Sequence, residues 1–309
     1  MTKLVYLLPG QGAQAIGMGK AFYDQFDEAK AVFQTANRKL GFDVAALCFE
    51  GPAEDLMKTE KCQPALFVTS MAAFAAFKRV MPKSLTPLAA AGLSLGEYSA
   101  LAASGVLSFE DTLRLVQKRA AFMEEATNLA QGKMAAIIGF DKNKLMEICR
   151  QTGAEVANFN SPEQIVITGH AAKVEEACRL IKEAGAKNVI PLEVGGAFHS
   201  SLMKTASEKF QTALEDVKIN TTNIPVISNV DAQPHKDAKI IRENLAKQII
   251  SSVQWVDSIQ YMAQQGISDF IEIGPGRVLR GLMRRTNPDL NCQNIEKLED
   301  LEKLNFTAV

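Results

Sequence analysis

The chain has 309 residues, of which 47% are hydrophobic and 22% charged, and its formal net charge is -1 at pH 7. A chain of this length can bury a large core, as one large domain or as a large domain with a smaller companion. Acidic and basic residues are interleaved, which excludes the basic surface typical of proteins that bind nucleic acid or acidic membranes.

The first third of the chain alternates short apolar runs with helical patterns. Residues 3–8 (KLVYLL) form an apolar run stopped by Pro9 and Gly10, which predicts a buried strand. The following patterns predict, in order, a helix over 19–40, a largely buried helix over 63–81, a strand over 85–93 and a helix over 96–105. Strands that alternate with helices indicate a parallel sheet covered on both faces.

The order of predicted elements changes at residue 133. The predicted elements are a strand over 133–140, a helix over 141–153, strands over 154–160 and 164–170, a helix over 171–185 and a strand over 187–194. This β-α-β-β-α-β order is typical of a ferredoxin-like unit. We therefore predict an α/β fold: a large α/β-hydrolase-like domain with a parallel sheet (1–128 and 198–309), and a small inserted ferredoxin-like domain (129–197).

The remaining chain is expected to return to the first sheet. Residues 224–230 and 267–276 predict strands, and 237–251 predict a helix between them. The tail after Asn287 has a weak pattern, and we expect it to pack on the surface.

The cysteines and the apolar stretches bear on the compartment. The five cysteines are widely separated and form no C-x-x-C pair, which argues against a disulfide framework and against a zinc site. No signal peptide is recognisable, and the longest uncharged stretch, 62–77, falls short of the roughly 20 apolar residues that span a bilayer. We expect a cytoplasmic protein without a membrane segment or a metal site.

The most informative motif is Gly-x-Ser-x-Gly at residues 92–96. A strand is predicted before it and a helix after it. In that context the pattern forms a sharp turn that exposes the serine oxygen and offers helix N-terminal amides to an oxyanion. Ser94 is thus a candidate nucleophile, and the alternative is a tight junction that merely needs small residues.

A serine nucleophile needs a base, and the chain has three histidines. His199 lies in a Gly-rich apolar stretch where the chain leaves the small domain, a setting that suits a cleft. His170 is more simply a helix-start residue and His235 a solvated loop residue, so His199 is favoured. The amide of Leu95 and the loop after the first strand (PGQGAQ) are candidate oxyanion donors, because both lie at one edge of a parallel sheet.

Several motifs together carry a family resemblance. They are LLPGQGAQAIGMG, GLSLGEYSALAASGVLSFEDTLRLVQKRAAFMEEA, NFNSPEQIVITGH, GAFHSSLM, SNVDAQ, QIISSVQW and EIGPGRVLRGL, in that order along nearly the whole chain. The combination resembles the malonyl-CoA:acyl carrier protein transacylases of type II fatty acid synthesis.

The resemblance implies a ping-pong acyl transfer without a bound cofactor. Ser94 would attack the malonyl thioester of malonyl-CoA and His199 would take the proton, while the amides of Gln11 and Leu95 hold the oxyanion. The acyl-serine would then be released to the phosphopantetheine thiol of acyl carrier protein. In this family a backbone carbonyl orients the histidine, and the matching position is Gln248.

The resemblance also assigns substrate-binding residues. Arg119 matches an arginine that pairs with the malonyl carboxylate, and Met123, one helical turn on, would line the same pocket. Composition alone favours an exposed helical Arg119. Leu95 and Phe198 match residues that favour malonyl over methylmalonyl. Leu93 departs from the family, which usually has His before the nucleophile.

The carrier protein is acidic in related systems, so a basic docking face is expected. Arg277, Arg280 and Arg284 fall on one predicted helical face, although an ordinary solvated face explains them equally well. The chain is expected to act as a monomer. Three other functions stay open: a thioester hydrolase, a catalytically idle protein that binds acyl-carrier partners, and a free-standing acyltransferase of a polyketide synthase.

Overall fold

The computed structural model describes residues 4–82 and 85–304. The strands are β1 (Leu4–Leu8), β2 (Ala89–Gly92), β3 (Gly132–Ile138), β4 (Glu155–Ser161), β5 (Gln164–His170), β6 (Asn188–Pro191), β7 (Val226–Ile227), β8 (Pro234–His235), β9 (Asp269–Ile273) and β10 (Asn291–Ile295). The first helices are α1 (Lys20–Gln25), α2 (Asp27–Leu40), α3 (Val44–Glu50), α4 (Ala53–Met57), α5 (Thr59–Val80), α6 (Leu95–Ala103) and α7 (Phe109–Leu129). The remaining helices are α8 (Lys142–Thr152), α9 (Ala171–Glu183), α10 (Lys204–Glu215), α11 (Ala238–Gln248), α12 (Trp255–Gln264), α13 (Val278–Thr286) and α14 (Leu298–Glu302), with a short 3-10 helix at Ser201–Met203.

The larger sheet has six strands in the order β10-β9-β1-β2-β7-β8. All its pairs are parallel except β7 with β8. Every residue of β1 is buried, and alternate residues enter two different cores: Tyr6 belongs to the core that includes residues of α2, α5 and α7, whereas Val5 and Leu7 belong to the core that includes residues of α12 and α13. A central parallel strand is apolar on both faces because helices cover both faces of its sheet.

The smaller sheet is antiparallel, with the order β4-β5-β3-β6. Numbered within the unit, this order is 2-3-1-4, the ferredoxin-like arrangement. Helices α8 and α9 close one side of it over a separate core that includes Leu145, Ile167 and Ile181. The predicted fold class is thus confirmed. The unit lies within the predicted interval 129–197, while the domain boundaries themselves stay a prediction.

Two sequence-based predictions differ from the structure. The helix expected over 19–40 is two helices, because Phe26 adopts an extended backbone with φ -123° and ψ 121° between α1 and α2. The tail after Asn287, which was expected to pack on the surface, is part of the larger sheet. It contributes β10, which pairs with β9 and buries Ile295 completely. Residues 1–3 and 305–309, including Lys3 of the first predicted strand, lie outside the described residues.

The sheet topology places two loops side by side. Strands β1 and β2 are parallel neighbours, so the loop after Leu8 and the turn at Ser94 emerge at the same edge. The carboxyl edge of a parallel sheet is where ligands bind in open α/β folds. The segment that leaves the small sheet after β6 carries His199 toward that edge.

Candidate active site

The turn at Ser94 has the strained geometry of a nucleophile elbow. Ser94 has φ 53° and ψ -106°, a conformation that L-residues rarely adopt, directly between β2 and α6. The flanking glycines are required by close packing. A Cβ on Gly92 would collide with the backbone of Gly96, and a Cβ on Gly96 would collide with the carbonyl of Leu8. The Ser94 N–H donates to Asn229 Oδ1 at 2.6 Å.

Ser94 and His199 form a hydrogen-bonded pair. Oγ of Ser94 lies 2.8 Å from Nε2 of His199, and Nδ1 of His199 lies 2.8 Å from the carbonyl oxygen of Gln248. A carbonyl only accepts, so Nδ1 carries the proton and Nε2 is left as an acceptor facing the serine hydroxyl. This tautomer is the one that a general base requires.

The protonation state of His199 suits the same role. Its side chain is buried, and burial together with the positive charge of Arg119 lowers the pKa of His199 to about 4. Desolvation and a neighbouring cation both disfavour the imidazolium. The ring is therefore neutral at pH 7 and able to accept a proton.

Arg119 is a buried cation at the nucleophile. Its side chain is only 1% exposed, although composition alone favoured an exposed position on the helix. Nη2 donates to Ser94 Oγ at 3.0 Å and to Gln248 Oε1 at 3.1 Å, and Nη1 donates to Gln63 Oε1 at 2.6 Å. The guanidinium lies 5.2 Å from the ring centroid of Tyr98.

No carboxylate is in direct contact with the guanidinium of Arg119 within the described residues, although Glu97 is near enough to interact with its charge. Its hydrogen bonds go to neutral oxygens, it forms no salt bridge there, and Nε has no hydrogen-bond partner. Burial lowers the pKa of Arg119 from its usual value, which is the cost of holding a desolvated cation. A buried charge of this kind is ready to pair with an anionic ligand.

A cavity of about 370 Å³ opens between the two sheets at this point. Its wall includes all but one of the residues to which the resemblance gives a role: Ser94, His199, Gln11, Leu95, Arg119, Met123 and Phe198. Gln248 is absent from the wall because it lies behind His199 and Arg119. Leu93 lines the cavity as an apolar side chain. No group of three or more His, Cys, Asp and Glu side chains in 4–82 and 85–304 could hold a metal ion.

Comparison with known proteins identifies the family to which this chain is related. Residues 5–301 match the acyl transferase domain family. The chain is 45% identical over 307 residues to the malonyl CoA-acyl carrier protein transacylase of Bacillus subtilis (strain 168), covering 98% of this chain and 96% of that protein. This chain belongs to the acyl transferase family. The resemblance inferred from the motifs is confirmed.

Solved structures of the family agree with the fold of this acyl transferase. The malonyl CoA-acyl carrier protein transacylase of Coxiella burnetii superposes with a TM-score of 0.94 at 36% identity, covering 98% of this chain and 96% of that one. The Clostridium perfringens transacylase gives 0.91 at 40% identity, with the same coverages. A malonyl-transacylase structure described as a complex with a type II PKS acyl-carrier protein gives 0.94 at 36% identity and 98% coverage of both chains.

Sequence reasoning missed three residues of the acyl transferase site. Gln63 and Asn229 bind Arg119 and the Ser94 turn through their side-chain amides, and Glu97 lies buried behind the turn. For Glu97 a signal existed: it is the only charged residue among 89–105, a stretch otherwise made of small and apolar residues with one Tyr. A carboxylate in so apolar a stretch requires buried partners.

The other predicted residues have ordinary surroundings. His170 precedes α9 and is exposed. His235 differs from the prediction: it is half-buried in β8, with Nε2 2.7 Å from Asp231 Oδ2. No described helix of the acyl transferase is long and apolar enough to cross a membrane.

The three arginines of the predicted basic face are not equivalent. All three are exposed, but Arg277 precedes α13 and is paired with Glu296 at 3.0 Å, whereas Arg280 and Arg284 on α13 form no salt bridge within the described residues. The neighbouring Arg285 donates to Gln164 Oε1 at 3.4 Å, and Gln164 lines the cavity. Helix α13 therefore reaches the rim of the cavity.

Proposed function

We propose that this acyl transferase moves the malonyl group of malonyl-CoA to the phosphopantetheine thiol of an acyl carrier protein, and so feeds fatty acid biosynthesis. The observation that carries the proposal is the buried guanidinium of Arg119, which has no direct salt bridge within the described residues and donates a hydrogen bond to Ser94 Oγ. Malonyl thioesters carry a free carboxylate close to the reacting carbonyl. A planar guanidinium binds such a carboxylate with two hydrogen bonds.

The first half-reaction forms a malonyl-serine. Ser94 Oγ attacks the thioester carbonyl carbon while its proton passes to His199 Nε2, 2.8 Å away. The tetrahedral intermediate collapses, the carbon–sulfur bond breaks, and the departing CoA sulfur takes the proton back from His199. The carbonyl of Gln248 stabilises the imidazolium that exists between these steps.

The second half-reaction is the reverse with a different thiol. His199 takes the proton of the phosphopantetheine thiol, whose sulfur attacks the malonyl-serine carbonyl. The ester bond to Ser94 breaks, and Oγ regains a proton from His199. The backbone N–H of Leu95, at the N-terminus of α6, and that of Gln11, in the loop after β1, are the proposed donors to both oxyanions.

The carrier protein is proposed to dock on the exposed face of α13. Arg280 and Arg284 offer positive charge there, and Arg285 joins this face to the cavity rim at Gln164. An acidic carrier domain bound on this face could pass its prosthetic arm into the cavity. We propose that the enzyme works as a cytoplasmic monomer, without a bound cofactor or metal.

Intact-protein mass spectrometry tests the proposal directly. Brief incubation of the wild type with malonyl-CoA should add one malonyl mass, which should be absent from Ser94→Ala and reduced in Arg119→Leu. A chase with phosphopantetheinylated acyl carrier protein should move the malonyl group to the carrier. An adduct that is lost to water without appearing on the carrier would instead identify a thioester hydrolase.

A polyketide pathway is the second candidate. It is favoured by the malonyl-transacylase described with a type II PKS acyl-carrier protein, which has the same fold. The chemistry at Ser94 is identical in the two pathways. Competition between carrier proteins of the two pathways in the chase separates them: the physiological carrier should show the higher kcat/KM.

A further inference from the structure

Glu97 is a carboxylate sealed behind the nucleophile turn. It lies in the first turn of α6, three residues after Ser94, and is only 3% exposed. Its Oε2 accepts two hydrogen bonds, from the side-chain Nε2 of Gln248 at 2.6 Å and from the backbone N–H of Asn229 at 3.1 Å. Glu97 is outside the cavity wall, so it cannot touch a substrate bound there.

Both partners of Glu97 hold reacting groups. The side chain of Asn229 makes two hydrogen bonds to the turn: its Oδ1 accepts from the Ser94 N–H at 2.6 Å and its Nδ2 donates to the Gly92 carbonyl at 2.8 Å. The backbone carbonyl of Gln248 holds His199 Nδ1. One carboxylate therefore ties together the segments that position the nucleophile and the base.

The carboxylate also sets the orientation of the Gln248 side chain. Nε2 of Gln248 is shared between Glu97 Oε2 and the Ser94 carbonyl, which lies 3.0 Å away, while Oε1 accepts from Arg119. An ionised carboxylate only accepts hydrogen bonds, so it selects the amide orientation that presents the NH₂ group. The opposite orientation would direct that NH₂ group at the guanidinium of Arg119. Two hydrogen-bond donors would then face each other, which is unfavourable.

We propose that Glu97 is a positioning residue, which acts through Asn229 and Gln248 to hold Ser94, His199 and Arg119 in their reactive arrangement. The proposal rests on the proposed function, because the reaction that Glu97 would support is the formation of malonyl-serine. Glu97 makes no contact with the reacting atoms.

The ionisation of Glu97 decides the conditions of the test. Burial raises the pKa of Glu97 to about 7, and the nearby Asp231 acts in the same direction. The bonds from Gln248 and Asn229 and the charge of Arg119 favour the ionised form. Measurements at about pH 8 keep the carboxylate ionised.

The test compares Glu97→Gln, Glu97→Asp and Glu97→Leu. Glutamine keeps an oxygen at the position of Oε2, whereas aspartate keeps the charge but withdraws the oxygen from its two donors. Two rates are measured: malonyl-serine formation by rapid quench, and inactivation by phenylmethylsulfonyl fluoride, which reports the reactivity of Ser94 without the substrate. We expect about 100-fold slower rates for the leucine variant, about 10-fold or more for aspartate, and a loss of less than about 5-fold for glutamine.

Glu272 provides a matched control. It is also a fully buried carboxylate, but it caps α13 by accepting from the N–H groups of Leu279 at 2.9 Å and Arg280 at 2.8 Å, and it does not line the cavity. Glu272→Leu should lower the melting temperature and leave the inactivation rate of Ser94 within about 2-fold of the wild type.

The outcomes separate the two proposals. If the leucine and aspartate variants react at the wild-type rate, or if Glu272→Leu slows Ser94 equally, Glu97 has no positioning role. If the leucine variant does not fold, the other two variants decide. A slow aspartate variant with a nearly unaffected glutamine variant supports the positioning role through hydrogen bonds. A nearly unaffected aspartate variant with a slow glutamine variant would mean that only the charge matters, and would overturn that role. A wild type that reacts with the sulfonyl fluoride but forms no malonyl adduct would overturn the proposed function, while the inactivation rates still test Glu97.

Discussion

Nη2 of Arg119 lies 3.0 Å from Oγ of Ser94, so a buried cation and the candidate nucleophile share a hydrogen bond. The two side chains come from different segments, since Ser94 lies in the turn before α6 and Arg119 lies in the middle of α7. A carboxylate held by the guanidinium is thereby kept within reach of the serine oxygen. The distance suits an acyl group whose free acid lies a few bonds from its carbonyl, as in malonyl thioesters.

The first prediction concerns the charge of Arg119. Arg119→Leu should lower kcat/KM for malonyl-CoA by about 10²- to 10⁴-fold, because each hydrogen bond to a charged group contributes about 1.5–3 kcal/mol and a carboxylate accepts two. Acetyl-CoA, which has no free carboxylate, should be affected far less. Steady-state kinetics with both substrates measures the ratio. Arg114→Leu is the control, because Arg114 lies on the same helix in an exposed pair with Asp111. Equal losses for both substrates would contradict the assignment.

The second prediction concerns pH. Burial and Arg119 lower the pKa of His199 to about 4, so the neutral base persists down to that pH and is lost below it. The rate of Ser94 inactivation by phenylmethylsulfonyl fluoride, a neutral reagent, should therefore fall with a midpoint near pH 4. Arg119→Leu should move the midpoint upward, because it removes the cation that disfavours the imidazolium. Glu97, with a pKa of about 7, titrates close to the usual histidine range, so the refuting result is a midpoint near 6.5 that persists in Glu97→Gln.

The third prediction concerns the cavity wall at Phe198. Its side chain is 6% exposed and lines the cavity directly before His199. Phe198→Ala should reduce the preference for malonyl-CoA over methylmalonyl-CoA by about 10-fold or more, because one apolar wall supplies about 1–3 kcal/mol of discrimination. Competition between the two thioesters, followed by mass spectrometry of the acyl-serine, gives the ratio. A loss of rate with an unchanged ratio would mean that Phe198 supports the fold and not the selectivity.

The fourth prediction concerns the docking face. Arg280→Glu combined with Arg284→Glu should raise KM for the acyl carrier protein by about 10-fold at low ionic strength, with little change in KM for malonyl-CoA. The difference should shrink in salt, which screens exposed charges. Lys239→Glu on α11 reverses another exposed charge and serves as the control. Unchanged affinity for the carrier in the double variant would remove α13 from the docking surface.

The local parts of the site could be predicted from the sequence. The Ser94 turn follows from glycines at fixed offsets between a strand pattern and a helix pattern, all within a few residues. The partners of the turn could not be predicted in this way. Asn229 is 135 residues away from Ser94 along the chain, and Gln63 is 56 residues away from Arg119. A single amide has no periodicity that would single it out among other polar residues.

In the fold, too, features set by neighbouring residues could be predicted from the sequence, and some features set by distant contacts could not. The β-α-β-β-α-β order could be predicted because apolar residues recur within each element at the spacing typical of a strand or of a helix. Strand β10 (NCQNI) was missed because its polar residues leave it without an alternating apolar face; among the described strands it is an edge strand that pairs only with β9. The break at Phe26 was hidden because the apolar pattern continues across it.

The small antiparallel sheet is attached to the rest of the chain at a narrow neck. Gly132, where the chain enters β3, lies against Ala197, where it leaves toward His199, so closely that a Cβ on the glycine would collide with the alanine backbone. The two ends of the unit are thus side by side, and the returning end is only two residues from the candidate base, His199. A replacement unit with the same termini should leave the Ser94 turn intact, provided that it keeps the backbone hydrogen bonds between β4 and Val253. Chimaeras cut at this neck should therefore inherit one wall of the cavity from each parent.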